Sequence, residues 1–379
     1  MRLVYVCDAL AVYGGMERVL TDKMNWLAAQ DGFEVCIVTT EQGSHPLAFQ
    51  LDGRVVHTDL SVAFHRQYRV RVWLRPFVLL RLHRLYRRRL REKLQELRPD
   101  VLVCVRLSLL HDVLRVKGDT PVIFESHASR RCSRFECDSL LRRLRVGFQQ
   151  LDVKRVDRVV ALTEGDAAEW RQFTRAVVVI PDVVTQIMAG SYSDGLGRSV
   201  IFVGRFSRQK DVPMLLDAWR LVYERHGDWQ LHIFGSYGDS YEYVLSALGR
   251  SAAGVVVHGP QSLTPREYAC HSMLLLTSRY EPFGLVMVEA MSCGLPVVAF
   301  DCPYGPAGII TPGVDGLLVA ERSPAAFADA VCSLIEQPDR RLAMGREAVS
   351  AARRYRAADI MPRWKQLFSE VYNRLPISS

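Results

Sequence analysis

The strongest chemical signal is a pair of glutamates in the segment 278–301, SRYEPFGLVMVEAMSCGLPVVAFD. Pro282 restricts the residue before it to extended backbone, so a helix that carries Glu289 is expected to begin after it. The first N–H groups of such a helix are free to bind a phosphate. Glu281 and Glu289 are a little over two helical turns apart, so both could face one ligand and accept hydrogen bonds from its hydroxyls. Phosphate and hydroxyls together favour a sugar nucleotide; an amphipathic helix with two solvated glutamates is the alternative.

A second candidate is VGRFSRQKD, residues 203–211, which follows a strand-like apolar run. Arg205 and Lys210 lie on this loop, which leads into a predicted helix. Two cations beside a helix N-terminus would hold a diphosphate. A solvated basic turn is the alternative.

Glycines follow the first predicted strand at Gly14 and Gly15, with Glu17 and Arg18 directly after them. Glycine lets the backbone approach a ligand at the carboxyl end of a strand. An ordinary glycine turn explains the pattern equally well, and the dinucleotide fingerprint GxGxxG does not occur. His127, in FESHAS, also follows a strand, which favours a ligand site over the usual structural role of a lone histidine.

Strand-like and helix-like segments alternate along the chain. Apolar, β-branched runs such as RLVYVC (2–7) and PVIFE (121–125) are separated by helical patterns, which predicts parallel sheets covered on both faces. The alternation lapses over 183–198, a Gly- and Ser-rich stretch typical of a linker, and then restarts. A chain of 379 residues therefore predicts a doubly wound α/β protein of two domains. The expected segments are an N-terminal domain over 1–185, a C-terminal domain over 186–355, and 356–379, whose one-faced helix packs back on the N-terminal domain.

Composition excludes several protein classes. Hydrophobic residues make up 49% of the chain and charged residues 24%, as in a globular enzyme. The longest run without Asp, Glu, Lys or Arg, 251–265, is too short to span a membrane, and the first ten residues are too polar for a signal peptide. The nine cysteines form no CxxC pair. Those in apolar runs, such as Cys36 and Cys104, are expected to be buried thiols of a cytoplasmic protein.

The net charge of +8 belongs to residues 1–185, which hold 30 Lys and Arg against 22 Asp and Glu. The segment 65–98 is especially basic and combines a helical leucine stripe with Trp73 and Phe77. A basic amphipathic helix of this kind suits an anionic membrane surface, whereas packing of the stripe on its own domain is the alternative. Arginines alternate there with leucines rather than with stacking aromatics, so nucleic-acid binding is not expected.

Together these motifs resemble those of the retaining glycosyltransferases of family four. The resemblance covers nearly the whole chain, and its most specific part is Glu281-PFGLVMV-Glu289 with CGLPVV after it. VGRFSRQKD and GGMER at residues 14–18 are similar to two further hallmarks of the family. The resemblance implies the GT-B fold, with two Rossmann-like domains and an interdomain cleft. It also implies sugar transfer from a nucleotide-sugar donor with retention of anomeric configuration.

The same resemblance implies roles for residues of this sequence. Arg205 and Lys210 would bind the donor diphosphate and support its departure. Glu289 would bind the ribose, while Glu281 and His127 would contact the donor sugar. The other positions expected around the donor are Gly15, Gly204, the base-reading loop His258, Gly259 and Pro260, and the backbone of Phe283, Gly284, Leu285 and Val286. On the acceptor side, the candidates are Gly14, His127 and a second basic patch that includes Arg130 and Arg131.

No metal or other cofactor is expected. The chain has no DxD motif, and Arg205, Lys210 and a helix N-terminus could stabilise the leaving diphosphate. We expect a front-face attack within an ion pair, in which the donor phosphate helps to deprotonate the acceptor. The resemblance favours UDP as the nucleotide, and a saccharide acceptor, lipid-linked, in cell-surface polysaccharide, lipopolysaccharide or glycan assembly. The expected location is the cytoplasmic face of a membrane, and a sugar-nucleotide epimerase on the same architecture is the alternative enzyme.

Overall fold

The structure is a computed structural model that describes residues 1–130, 140–185, 192–235, 253–261 and 263–373. These residues form two compact units. One unit comprises Met1–Val183 and the chain from Ile360 onward, and the other comprises Val184–Asp359. Each unit is built on one parallel β-sheet. The two doubly wound α/β domains predicted from the alternating pattern are therefore confirmed.

The first unit has a seven-stranded sheet in the order β3-β2-β1-β4-β5-β6-β7. Its strands are β1 (Arg2–Cys7), β2 (Glu34–Thr39), β3 (Val56–Asp59), β4 (Val101–Cys104), β5 (Val122–Glu125), β6 (Arg158–Ala161) and β7 (Val177–Val179). Its helices are α1 (Gly15–Ala28), α2 (Arg75–Leu97), α3 (Leu107–Val116), α4 (Leu140–Leu151) and α5 (Glu164–Arg171). Strand order reverses between β1 and β4, and in such sheets ligands bind at the carboxyl ends of strands beside the reversal. Gly14 and Gly15 follow β1 at that edge.

The second unit has a six-stranded sheet in the order β10-β9-β8-β11-β12-β13. Its strands are β8 (Ser199–Val203), β9 (Gln230–Phe234), β10 (Val255–Gly259), β11 (Leu274–Leu276), β12 (Val297–Phe300) and β13 (Gly316–Val319). Its helices are α6 (Val212–Arg225), α7 (Pro265–Ala269), α8 (Leu285–Ser292), α9 (Gly305–Ile309), α10 (Pro324–Ile335) and α11 (Pro338–Ala352). Order reverses between β8 and β11, so the loop that begins at Gly204 also lies at a reversal point.

Helix α2 buries most of the leucine stripe on which the prediction of a membrane-binding helix depends. Leu82, Tyr86, Leu90 and Leu94 belong to the core of the first unit. An apolar face that recurs every 3.6 residues is satisfied by packing on its own domain, so the stripe follows the alternative, and contact of the segment 65–98 with a membrane stays a prediction. In this segment, exposed apolar side chains lie instead just before and within the first turns of α2, at Val72, Trp73, Phe77 and Leu80. In the described part of the chain, no helix is long and apolar enough to cross a bilayer.

The last helix, α12 (Ala357–Tyr372), belongs to the first unit from Ile360 onward. Its apolar face is buried along its length, at Ile360, Met361, Trp364, Leu367, Phe368 and Val371. The chain therefore returns to its first unit after completing the second, and it brings Trp364 into the core there.

Candidate active site

The loop after β8 places a lysine over a glycine. Gly204 directly follows the strand, and a Cβ added there would lie 3.2 Å from Cε of Lys210. The loop turns back because the Lys210 N–H donates to the carbonyl of Ser207, at 3.0 Å. Arg205, next to the glycine, is exposed. Glycine at position 204 therefore leaves room for the lysine stem beside the strand end.

Lys210 and Glu281, two of the predicted site residues, form an ion pair. The Lys210 Nζ lies 2.6 Å from Glu281 Oε2, and the two side chains are 14% and 9% exposed. Ser278 donates its hydroxyl to the same carboxylate oxygen, at 3.1 Å. The carbonyl of Glu281 accepts the N–H groups of Tyr304 and Gly305, at 2.9 and 2.7 Å. The carboxylate is therefore fixed from both its backbone and its side chain.

Helix α8 begins at Leu285, with Gly284 as its N-cap at φ +102°. This backbone conformation strains any residue with a side chain, and a Cβ here would lie 2.4 Å from Cε of Met287. The start of α8 after Pro282 agrees with the prediction, and Leu285 and Val286 occupy its first turn, where N–H groups are available to an anion. Phe283 is buried against Tyr355, with ring centroids 5.3 Å apart, so it offers its backbone rather than its ring.

Helix α8 places Glu289, and β10 places most of the residues expected to read the base. The prediction that these residues form a loop is wrong for His258 and Gly259, which are the last two residues of β10. Glu289, on α8, accepts a hydrogen bond from the Tyr268 hydroxyl at 2.8 Å. His258 is exposed and stacks on Phe234, with ring centroids 4.2 Å apart and planes 4° from parallel. Gly259 adopts φ +73° and its carbonyl accepts the N–H of Gly235 at 3.0 Å. Pro260 follows directly. The His258 ring thus presents an aromatic surface at the position expected to read the base.

An arginine that sequence analysis missed ties the Lys210 loop to the Glu281 loop. Arg322 donates to the Asp211 carboxylate at 2.7 Å, and to the carbonyls of Thr277 and Ser278 at 2.8 and 3.0 Å. Asp211 is the N-cap of α6 and also pairs with Arg279, at 3.0 Å. The guanidinium of Arg322 therefore joins the two loops that carry Lys210 and Glu281.

In the first unit, Gly14 is the N-cap of α1 and Gly15 is its first residue. A Cβ on Gly14 would lie 2.4 Å from a carboxylate oxygen of Glu17, which is buried in the first turn. Arg106 pairs with Asp8 at 2.9 Å and lies 3.8 Å from Glu17. Gly14 therefore makes room for a charged cluster at the carboxyl end of β1, where burial raises the pKa of Asp8.

His127 lies just beyond β5, within a buried group of charges. Its Nε2 is 3.1 Å from Glu125 Oε1, and its Nδ1 is 3.7 Å from Asp182 Oδ1. Lys23, on α1, contacts both carboxylate oxygens of Glu125, and the side chains of Lys23 and Glu125 are each 1% exposed. Burial alone would raise the pKa of Glu125, but Lys23 and His127 lower it to about 2. Burial raises the pKa of Asp182 to about 6.

Glu125, His127 and Asp182 are also spaced for a metal ion, since one ligand atom from each lies within 4.8 Å of the others. The ammonium of Lys23 already contacts both oxygens of Glu125, so this cluster has a cation of its own. A divalent ion at Glu125 would face that ammonium at close range, which is electrostatically unfavourable. The expectation of no metal therefore stays a prediction.

The acceptor-side arginines are only partly described. Arg130 is held internally. Its guanidinium pairs with Glu169 at 3.2 Å and lies 4.1 Å from the Phe173 ring, and its backbone N–H donates to the carboxylate of Asp166. Arg131 lies outside the described residues. The second basic patch therefore contributes Arg130 to the packing of α5.

The fold and these sites define a class of protein. Two Rossmann-like units on parallel sheets, each with candidate ligand-binding loops at the reversal of its strand order, form the GT-B architecture of glycosyltransferases. Residues 13–185 match the family described as Glycosyltransferase Family 4, and residues 197–337 match the family described as Glycosyl transferases group 1. The chain thus carries the paired domains of a GT-B glycosyltransferase.

Known proteins resemble the chain over most of its length. An uncharacterized glycosyltransferase of Haemophilus influenzae is 25% identical over 93% of this chain and 95% of its own. The lipopolysaccharide 1,6-galactosyltransferase of Escherichia coli is 27% identical over 86% and 87%. The structure of a mutant TarM from S. aureus, in complex with fondaparinux, α-GlcNAc-glycerol and UDP, superposes with a TM-score of 0.79 at 15% identity, over 97% of this chain and 99% of that one. The structural match supports the fold alone.

Proposed function

We propose that the protein is a retaining glycosyltransferase that moves a sugar from UDP to a saccharide acceptor, lipid-linked, in cell-surface polysaccharide or lipopolysaccharide assembly. The observation that carries the proposal is the contact between Lys210 and Glu281 beside the first turn of α8. It combines a cation, a carboxylate and a helix N-terminus, which suit the diphosphate and hydroxyls of a nucleotide sugar. The lipopolysaccharide galactosyltransferase among the relatives supports the acceptor class, and the UDP complex of TarM supports the nucleotide.

In the proposed reaction, Lys210 and Arg205 stabilise the charge that develops on the leaving UDP, with the N–H groups of α8. The bond between the sugar C1 and the diphosphate oxygen breaks, and the acceptor oxygen bonds to C1 on the same face. The acceptor proton passes to a phosphate oxygen of the donor. Glu281 accepts hydrogen bonds from the sugar, Glu289 binds the ribose and His127 contacts the transferred sugar. No step requires a metal.

The test is thermal unfolding with UDP, GDP, ADP and CMP, each with and without EDTA. A ligand that binds only the folded state raises the midpoint by mass action. We expect UDP to raise it in EDTA, and Arg205→Ala to abolish the shift. Arg208→Ala, an exposed arginine of the same loop, is the matched control and should keep it. A protein that responds to no nucleotide, or to UDP only with a divalent metal, would contradict the proposal.

The first turns of α2 are proposed to contact anionic lipid, in place of the buried stripe. The α2 tip, defined as residues 72–80, exposes Val72, Trp73, Phe77 and Leu80. Exposed arginines flank it on both sides, at Arg66, Arg69, Arg71, Arg81 and Arg84. Apolar side chains that enter the headgroup region and cations that meet anionic lipids are complementary to such a surface. This surface would hold the enzyme beside a lipid-linked acceptor on the cytoplasmic face.

Vesicle sedimentation tests the α2 tip. We expect binding to vesicles of phosphatidylglycerol and phosphatidylcholine at low salt, but not to phosphatidylcholine alone. Trp73→Ala/Phe77→Ala should lose most of the binding. Phe148→Ala removes an aromatic ring of similar exposure on α4 and is the control. Equal binding by both variants, or no binding at all, would contradict the lipid proposal and leave the donor-site proposal intact.

A further inference from the structure

A buried ion pair lies directly behind His127. Lys23 projects from α1 and contacts both oxygens of the Glu125 carboxylate at the end of β5. The same carboxylate lies 3.1 Å from Nε2 of His127. An ion pair with no access to water is costly to form, because both charges lose their hydration. Because this costly ion pair lies beside His127, a candidate site residue, we ask what the pair does to that histidine.

Two aromatic rings enclose the ammonium of Lys23. The Nζ lies 3.9 Å from the ring centre of Trp364, on α12, and 5.4 Å from that of Tyr5, on β1. The faces of aromatic rings attract cations, and they also exclude water from the pair. The cation is therefore held in one place by a carboxylate and two rings, and its attraction to Glu125 is strong in this dry setting.

The lysine determines the charge of Glu125, and Glu125 determines which nitrogen of His127 is available. A carboxyl group buried to this degree would take up a proton if it had no cation beside it. Nε2 makes no hydrogen bond with the described residues, but the ionised Oε1 of Glu125 lies 3.1 Å from it and attracts a proton to that nitrogen, so that Nδ1 carries the lone pair of the neutral ring. Nδ1 lies 3.7 Å from Asp182 Oδ1, which is beyond hydrogen-bond range. That nitrogen is therefore the one left for a ligand.

We propose that Lys23, through Glu125, is a positioning residue that holds His127 in one tautomer and one ring orientation, with the proton on Nε2 and Nδ1 left as the hydrogen-bond acceptor. The inference rests on the proposed function for the role of His127, but the orientation itself does not. The charged and titratable groups that face this histidine are Glu125 on β5, Asp182 after β7 and Lys23 on α1, with Tyr5 behind the lysine.

The test separates positioning from stability. Lys23→Met alone leaves a buried carboxylate without its cation, so it should destabilise the protein. Lys23→Met/Glu125→Leu removes both charges, and such replacements are often neutral for stability. We expect the double variant to recover the unfolding midpoint of the wild type but to transfer sugar with kcat/KM lower by about 10- to 100-fold, as is typical when the partner that orients a histidine is lost.

Nitrogen-15 NMR of histidine-labelled full-length protein provides a readout that does not depend on activity. The His127 signals are assigned by their loss in His127→Asn. We expect the wild type to show a proton on Nε2 at neutral pH and the double variant to show a mixture of tautomers. Leu20→Ala, a cavity variant one turn earlier on α1, controls for destabilisation and should keep the wild-type tautomer.

Each result decides a different claim. A double variant that recovers both the midpoint and kcat/KM, with an unchanged tautomer, overturns the positioning role and makes the pair purely structural. A wild type that transfers no sugar from any UDP-sugar contradicts the proposed function. In that case the tautomer measurement still tests whether Lys23 and Glu125 orient His127.

Discussion

Neutralising Glu281 should change UDP binding and sugar transfer in opposite directions. Lys210 donates to Glu281 at 2.6 Å, so a diphosphate that needs the same ammonium competes with this carboxylate. In Glu281→Gln the competitor loses its charge and UDP should bind more tightly. Transfer should nevertheless fall, because an amide is a weaker acceptor for the sugar hydroxyls than a carboxylate.

The size of the gain in UDP affinity follows from the burial of the Lys210–Glu281 ion pair. A solvent-exposed ion pair contributes about 0–1 kcal/mol, and breaking a buried one costs about 3–5 kcal/mol. The side chains of Lys210 and Glu281 are 14% and 9% exposed, so their pair lies between these limits. We therefore take about 1.5 kcal/mol as the gain in the free energy of UDP binding. That corresponds to a roughly tenfold lower Kd for UDP. The lost charge-assisted hydrogen bond to the sugar costs about 1.5–3 kcal/mol, and set against the gain of about 1.5 kcal/mol it leaves kcat/KM lower by up to about tenfold.

Isothermal titration with UDP, together with a transfer assay, measures both effects. Lys210→Met should weaken both UDP binding and transfer, because it removes the cation itself. Glu224→Gln, which neutralises an exposed carboxylate on α6, should change neither. If Glu281→Gln binds UDP no more tightly than the wild type while Lys210→Met binds it weakly, the two ligands of Lys210 do not compete and the reasoning is refuted.

Three further predictions address the backbone, the loop brace and pH. Gly284→Ala places a side chain at φ +102°, so denaturant titration should show a loss of about 1–3 kcal/mol, with weaker UDP binding; wild-type stability would contradict this. Arg322→Met should weaken UDP binding several-fold by releasing Asp211, whereas the exposed Arg225→Met should not, and equal effects would refute the brace. Asp182 has a folded-state pKa of about 6 against 3.8 in a model peptide, so its ionisation opposes folding increasingly from about pH 4 to pH 6 and fully above. Asp182→Asn should therefore gain stability relative to the wild type between pH 4 and pH 7, by up to about 3 kcal/mol, and an unchanged difference in unfolding free energy would contradict the assignment.

Most strands of both sheets could be predicted from the sequence, because strands buried on both faces are continuous apolar runs. RLVYVC, for example, forms β1 with the predicted bounds, and PVIFE contains β5. β3 (Val56–Asp59) escaped prediction since it lies at the sheet edge, is only partly buried and has no continuous apolar run.

The start of α8 was also predictable, because glycine and proline determine local backbone. Pro282 and Gly284 mark the start of α8 in the sequence itself. The contact of Lys210 with Glu281 was not predictable, because it joins positions 71 residues apart through the packing of two loops. Arg322 escaped for the same reason, as its partners lie on two segments, at Asp211 and at Thr277 and Ser278, both distant from it in sequence.

Lys23 was the most informative omission. It occupies a core-facing position on α1, four residues after Val19 and four before Leu27, both of which are buried. A lysine within an apolar helical stripe is a signal of a buried partner, since lysine is almost never fully buried without one. The identity of that partner, Glu125, could not be read from the sequence, because the sheet brings together residues 102 positions apart.

The most direct test of the central claim follows the fate of the donor alone. The protein is incubated in EDTA with UDP-glucose, UDP-galactose or UDP-GlcNAc, each an α-linked donor, and proton NMR records the anomer of the sugar released by slow hydrolysis before it mutarotates. A retaining, metal-free donor site predicts that the α-anomer appears first, and that Arg205→Ala and Lys210→Met release almost none. The account is contradicted if the β-anomer appears first, or if hydrolysis stops in EDTA and is restored by Mn²⁺.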